Sequence, residues 1–513
     1  MKKAITLITI LLNFGYIQAQ APAIQWQKSL GGLGDDVASS ILLTSDDGYI
    51  VAGWSYSTEG NINGNHGGAD YWVVKIDATG TIQWQKSFGG SNDDCATSIQ
   101  ITSDGGYVLA GYSSSINGDV TGNHGIKDYW VVKLDASGNI QWQKSLGGSN
   151  SDAAESIQTT SDGGYIAVGY TDSNNSNVTA NHGGRDCWVV KLDATGTIQW
   201  QKTLGGTGID YGNAIQNTSD GGYVVAGYTF SNDGEVTGNH GSSSDYWIIK
   251  LDATGIIQWQ KCLGGSGNDY AKSIKTTSDE GYIVVGRSNS NDGNVTGNHA
   301  NSNDYWIVKL DSTGTIQWQK SFGGYGIDVA NTVQTTSDGG YIVAGYSQYI
   351  GGNVTVYHGG YDFWVIKLDA IGIIQWQKSI GGSGDDYPNN IQLTSDGGYI
   401  IVGDSNSIDG NVTGNHGGGD YWIVKLAPDA LATPAFEKTS IVIYPNPVCD
   451  VVQIQTPNNT IISKTKIIDI TGKFVYEQSQ NGNTINVENL AQGMYILEAY
   501  SGENKYVTKF VKE

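Results

Sequence analysis

All seven histidines of this 513-residue chain, His66, His124, His182, His240, His299, His358 and His416, stand four or five residues before an aspartate. Those aspartates are Asp70, Asp128, Asp186, Asp245, Asp304, Asp362 and Asp420, each directly before a Tyr-Trp pair or its Cys-Trp or Phe-Trp variant. Imidazole beside carboxylate is the equipment of a general base or a metal site. A catalytic constellation is needed only once, so sevenfold recurrence points to a structural bond that pins a loop. A second series of acids, Asp36, Asp94, Asp152, Asp210, Asp269, Asp328 and Asp386, lies ten residues after each Trp of a repeated Ile-Gln-Trp-Gln-Lys segment. Gathered round an axis, these carboxylates would form an oxygen-rich ring suited to Ca²⁺. Held apart, each would cap its own turn by accepting backbone N–H bonds. Ligand binding is expected where the repeats disagree, and one such position carries Trp54, Tyr112, Tyr170, Tyr228, Arg287, Tyr346 and Asp404. Five aromatics with one cation and one acid can stack sugar rings and bond hydroxyls or a carboxylate. The competing reading packs the aromatics between structural units and leaves Arg287 and Asp404 to pair with each other or with solvent.

The elements that position these residues follow from two offset repeats. Trp26, Trp84, Trp142, Trp200, Trp259, Trp318 and Trp376 mark one series with a period of 58 or 59 residues, and Trp72, Trp130, Trp188, Trp247, Trp306, Trp364 and Trp422 mark the other. The repeats open with an Ile-Gln-Trp-Gln-Lys that has no preceding partner and close with an Asp-Tyr-Trp-Ile-Val-Lys-Leu that has no following one. Complementary halves at the two ends predict an all-β fold, a seven-bladed β-propeller closed by the N-terminal strand. Period-two patterning and turn residues divide the second repeat into strand a (96–102), strand b (106–113), strand c (128–135) and strand d (from 139 or 140 to 146). The a–b and c–d connections are tight Gly turns. The longer b–c and d–a connections share one face, where a ligand site is expected. The c–d hairpin resembles the tryptophan-docking motif of quinoprotein dehydrogenase propellers, which implies a strand d Trp packed between blades. With no adjacent cysteine pair and no distinct cofactor pocket, that resemblance supports architecture and not redox chemistry. The His and Asp pair is similar in arrangement to that of WD-repeat propellers, which implies a loop-pinning bond.

A net charge of −22, with Arg185 and Arg287 the only arginines, excludes nucleic acid as an expected partner. Residues 1–19 read as a signal peptide, and no other apolar run is long enough for a transmembrane anchor. Cys95, Cys187, Cys262 and Cys449 occupy unrelated repeat positions and are expected as isolated thiols. The propeller is assigned to residues 20–427, a linker to 428–440 and a separate small β-sandwich to 441–513. That last segment closely resembles the type A C-terminal sorting domain of the Bacteroidetes type IX secretion system. The resemblance rests on Tyr444-Pro445-Asn446-Pro447, the turn 469–473 with Gly472, Gly493 and Tyr495 after Leu490, and the terminal Lys509-Phe510-Val511-Lys512. It implies export through the periplasm, the type IX machinery as partner, and release or attachment at the outer-membrane surface. The functional expectation is a noncatalytic propeller that binds glycans or proteins. The alternative is an extracellular polysaccharide hydrolase or lyase.

Overall fold

The computed structural model describes residues 20–299, 302–429, 441–456, 461–470, 473–479, 482–501 and 504–513. The expected signal peptide, residues 430–440 of the expected linker and Gly472 therefore lie outside the described residues. The chain divides into two compact units, Met1–Ala430 and Leu431–Glu513.

The first unit consists of seven four-stranded antiparallel sheets. In blade 1 the strands are Asp36–Leu43 (a), Tyr49–Ser55 (b), Asp70–Ile76 (c) and Ile82–Phe88 (d). Blade 7 takes strands a to c from Asp386–Leu393, Tyr399–Ser405 and Asp420–Leu426, and its outer strand from Ile24–Leu30. The pairing runs from Ile24 opposite Leu426 to Leu30 opposite Tyr421. In blade 2 strand a begins at Asp94, two residues before the expected start, because Asp94 already pairs with Ser113.

Strand c reads as an almost unbroken apolar run because neighbouring blades cover both its faces, and all seven of its residues are buried in every blade. Its one Lys has to be neutralised there. Lys75 reaches Asp46 of the a–b turn at 2.9 Å and also donates to the carbonyl of Ile76, and each blade repeats the Lys–Asp pair. The strand c Trp donates its indole N–H to the second Gln of strand d, as Trp72 does to Gln85 at 3.0 Å.

Blades are joined by three recurring contacts. Each strand d Trp packs edge-on or tilted against the first Tyr of strand b in the next blade, from Trp26 with Tyr49 to Trp376 with Tyr399. That ring also seals the next blade's c–d turn, where Gly80 (φ 79°) leaves no room for a Cβ beside Trp26. The strand c Tyr donates to the strand c Trp carbonyl of the following blade, Tyr71 to Trp130 at 2.8 Å and Tyr421 to Trp72 at 2.9 Å. Cys187 and Phe363 lack the hydroxyl for this bond. Blade 7 and blade 1 share a core, in which Ile400, Val402, Tyr421 and Ile423 meet Ala38, Val51 and Trp72.

The second unit is a β-sandwich of a three-stranded and a four-stranded sheet. The first sheet holds Val442–Tyr444, Val451–Gln455 and Thr484–Asn486, and the second Lys464–Asp469, Phe474–Gln478, Gly493–Ser501 and Asn504–Lys512. Between them lie Val452, Ile454, Ile467, Ile485, Leu497 and Phe510.

Candidate functional site

The seven histidines do not converge. In every blade the imidazole Nδ1 lies 2.5 to 3.2 Å from Oδ2 of its aspartate. The backbone N–H of the same histidine donates to that oxygen, for example at 2.8 Å in His66. The aspartates are buried while the rings stay partly open to solvent. This is a clasp that ties the long b–c loop to the start of strand c. Burial, partly offset by the histidine, pushes the Asp70 and Asp186 carboxyls up to about 6.

The second series is buried too, at the first residue of strand a. Asp36 Oδ2 accepts the Gly32 N–H at 2.8 Å and the Ser57 hydroxyl at 2.9 Å, and the glycine bond recurs in all seven blades. None of these acids lines the channel. Each accepts from N–H and O–H donors, and a clasp aspartate lies close enough to raise its pKa in several blades, as Asp245 does for Asp269 and Asp304 for Asp328. Each of the seven caps the turn that leads into its own strand a. Among the described residues no group of three or more His, Cys, Asp or Glu is placed to hold a metal.

What does converge is a position invisible in the alternation of strand a. The register between strands a and b slips by one residue in every blade, leaving Ser39, Thr97, Glu155, Asn213, Lys272, Asn331 and Asn389 as the extra residue of a β-bulge. The facing residue of strand b must be Gly, since a Cβ on Gly53 would lie 1.9 Å from the Val37 carbonyl. All seven bulge side chains line a cavity of about 540 Å³ at the long-connection end of the channel, and a smaller one of about 150 Å³ beneath it. Four of them latch to the strand a carbonyl of the next blade: Thr97 to Ala154, Asn213 to Ala271, Asn331 to Pro388 and Asn389 to Ala38. Among the described residues Glu155 and Lys272 make no hydrogen bond. Confinement in the channel wall pushes Glu155 up to about 7 against the pull of Lys272, and pulls Lys272 down, an effect that Arg287 adds to and Glu155 opposes. Deeper in the channel, burial holds Lys275 at about 8.

Of the rim position named from sequence, Arg287, Tyr346 and Asp404 line the upper cavity, whereas Trp54, Tyr112, Tyr170 and Tyr228 do not. Tyr170 and Tyr228 belong instead to a run of touching rings. Tyr170 meets Tyr211 (4.9 Å between centroids), Tyr211 stacks on Tyr228 (4.7 Å), Tyr228 meets Tyr270 (4.6 Å), and Arg287 lies over Tyr270 at 4.5 Å. Arg185 covers Tyr170 at the other end and forks onto Asp172 with two bonds of 2.7 Å. Lys127 lies over Tyr112, and Trp54 meets Tyr56 edge-on. No ion pair joins Arg287 to Asp404. Asp404 is pushed up to about 7 by burial and receives one long bond, 3.5 Å, from Asn389. The bulge ring was missed in the sequence because period-two counting runs straight through a bulge. Its signal was available, since aligning the repeats gives Ser, Thr, Glu, Asn, Lys, Asn and Asn at one position.

In the C-terminal unit the motif residues meet although they are far apart in sequence. Asn446 Oδ1 accepts the Val511 N–H at 2.9 Å, and its amide reaches the Lys509 carbonyl at 3.4 Å. Tyr495 stacks on Phe510 with centroids 5.6 Å apart. Tyr444, Pro445 and Pro447 lead into this contact, Gly493 opens the strand paired with the last one, and Lys512 pairs with Gly493.

Residues 442–513 match the family described as secretion system C-terminal sorting domain. An ulvan lyase, NLR42, of Nonlabens ulvanivorans is 33% identical over 90 residues, 17% of this chain and 17% of that protein. The regulatory protein FlaEY of Caulobacter vibrioides is 22% identical over 361 residues, 60% of this chain and 36% of that protein. This chain therefore spans well under half the length of either relative. Among solved structures, PorZ, a surface component of the type IX secretion system of Porphyromonas gingivalis, overlaps with a TM-score of 0.41 at 12% identity, covering 95% of this chain and 60% of PorZ. Sqt1 of Chaetomium thermophilum does so with a TM-score of 0.41 at 10% identity, covering 95% and 100%. Among the described residues no helix is long and apolar enough to cross a membrane. The unit before it is a repeat β-propeller, and the C-terminal unit is a secretion system C-terminal sorting domain, which indicates type IX secretion to the cell surface or the extracellular space.

Proposed function

We propose that the propeller is a noncatalytic binding module that takes a glycan, or a protein segment presenting similar groups, at the mouth of its central channel. The observation that carries this reading is where the repeats diverge. Strand c, the His–Asp clasp and the turn caps barely vary, while the bulge ring and the adjoining rim differ from blade to blade. Divergence there supplies Tyr346 and Tyr387 for stacking and Asn, Arg and Lys for hydroxyls in a cavity of about 540 Å³, within the usual range for ligand sites.

A hydrolase would need two carboxylates cooperating across a scissile bond. Glu155 and Asp404 sit on blades 3 and 7, and the acids that perturb Asp404 are Asp386 and Asp35, not Glu155. The direct test is a glycan-array screen of the full chain, repeated with Tyr346→Ala. The reading expects a defined set of bound glycans, lost in the variant and left uncleaved on long incubation. An empty array, or shortened glycan products, would count against it.

A further inference from the structure

Blade 5 differs from its six neighbours in placing cations at the channel. It supplies Lys272 from the bulge, Arg287 from the rim and Lys275 one layer deeper. This is a protein with net charge −22 whose other arginine is neutralised by Asp172. In the same blade, the strand c Lys309 is matched to Asp279 at 2.8 Å. Lys272 and Arg287 have no such partner. Neither forms an ion pair or a hydrogen bond among the described residues, and the Arg287 Nε is buried and unpartnered. The two repel each other across the same cavity. Glu155 offsets part of that repulsion at Lys272, whereas the buried Nε of Arg287 is left unsatisfied, a cost that an anion seated beside it would remove.

Resting on the reading of the channel mouth as a glycan site, we infer that its ligand is an acidic saccharide whose carboxylate seats between Arg287 and Lys272. Tyr270 lies 4.5 Å from the guanidinium, which its ring face holds at the wall of the cavity. Tyr346 from blade 6 and Tyr387 from blade 7 line the same space and offer rings to the sugar face, and the free amide oxygens of Asn331 and Asn389 accept from hydroxyls. The acids of the cavity, Glu155 and Asp404, stand on blades 3 and 7. They keep a carboxylate ligand to the blade 5 side and set its orientation.

Calorimetric titration of the full chain with oligogalacturonate and with the same oligomer methyl-esterified tests the assignment. The acidic form is expected to bind about tenfold or more tighter than the ester, with affinity falling as salt is raised. Arg287→Gln and Lys272→Gln should each remove most of that preference, with melting temperatures showing that both variants fold, and Glu155→Gln should strengthen binding of the acid. Equal affinity for acid and ester, or a preference unchanged in both blade 5 variants, overturns the anion site while leaving a glycan site standing. Failure of both oligomers to bind overturns the inference, and the glycan array then decides separately whether the broader reading survives.

Discussion

The indole N–H of Trp422 donates to Oε1 of Gln27 at 2.8 Å, joining residues 395 positions apart in the chain. In each other blade the equivalent bond lies within one c–d hairpin, 13 residues apart, as from Trp130 to Gln143. The same seam leaves Trp376 without a c–d turn to pack on, and Asp429 fills the gap by accepting from the Trp376 indole and the Tyr399 hydroxyl at 2.8 and 2.9 Å.

Deleting residues 20–32 should therefore remove the outer strand of blade 7 and produce a large drop in melting temperature. Gln27→Ala alone should cost about 1–3 kcal/mol, the usual penalty for a buried donor left unpaired. Denaturant unfolding measures both, and a truncated chain that melts like the parent would refute the role of the N-terminal strand.

The clasp can be tested at His240, whose Nδ1 lies 2.5 Å from Asp245. His240→Ala should lower stability by roughly 1–3 kcal/mol, since it leaves a buried carboxylate short of a partner, with ligand affinity unchanged. Lost affinity at unchanged stability would instead mark the histidine as part of a binding site.

Stability should fall as pH rises from about 4.5 to about 7.5. Burial raises the carboxyls of both aspartate series, to about 6 at Asp70, Asp186, Asp269 and Asp386 and about 7 at Asp328. Because these folded values exceed the unfolded one of about 3.9, the neutral acid is favoured in the fold. The contribution is complete below about pH 4 and lost as pH climbs through 6 to 7. Asp46 and Asp104 act oppositely. The Thr44 hydroxyl and Lys75 hold the first at about 2, and Lys133 and the Thr102 hydroxyl the second, so their contribution is lost only in strong acid and is small because they are half exposed. Scanning calorimetry at the two pH values decides, and a melting temperature that climbs steadily toward pH 7.5 would contradict the argument.

At the rim, Tyr346→Ala should weaken ligand binding by about 1 kcal/mol or more through lost stacking. Trp54→Ala, at the equivalent position of blade 1 but outside the cavity, should change affinity less. The reverse order in a titration would move the site from the channel mouth to the outer rim.

Removing residues 441–513 should leave the propeller in the periplasm of a host with the type IX pathway. Asn446→Ala should reduce surface display, because Asn446 ties the Tyr444–Pro447 motif to the terminal strand. Normal display of either variant, by fractionation and surface labelling, would sink this link between motif contact and export.

The sequence by itself determined the seven blades, the origin of the outer strand of blade 7, the docking of the strand d tryptophans and the sorting domain. Each of these is written in period, turn residues or contiguous motif, and is repeated often enough to be read. The tertiary structure alone decided which variable residues face the channel. A one-residue bulge reverses the alternation of strand a and turns Glu155 and Lys272 inward, and no pairwise spacing reveals that slip because it exists only in the register against strand b. The rim position shows the same limit. Trp54, Tyr112, Tyr170 and Tyr228 share a register with Arg287, Tyr346 and Asp404, yet only the last three border the cavity, because what fills the space beside each residue is contributed by neighbouring blades.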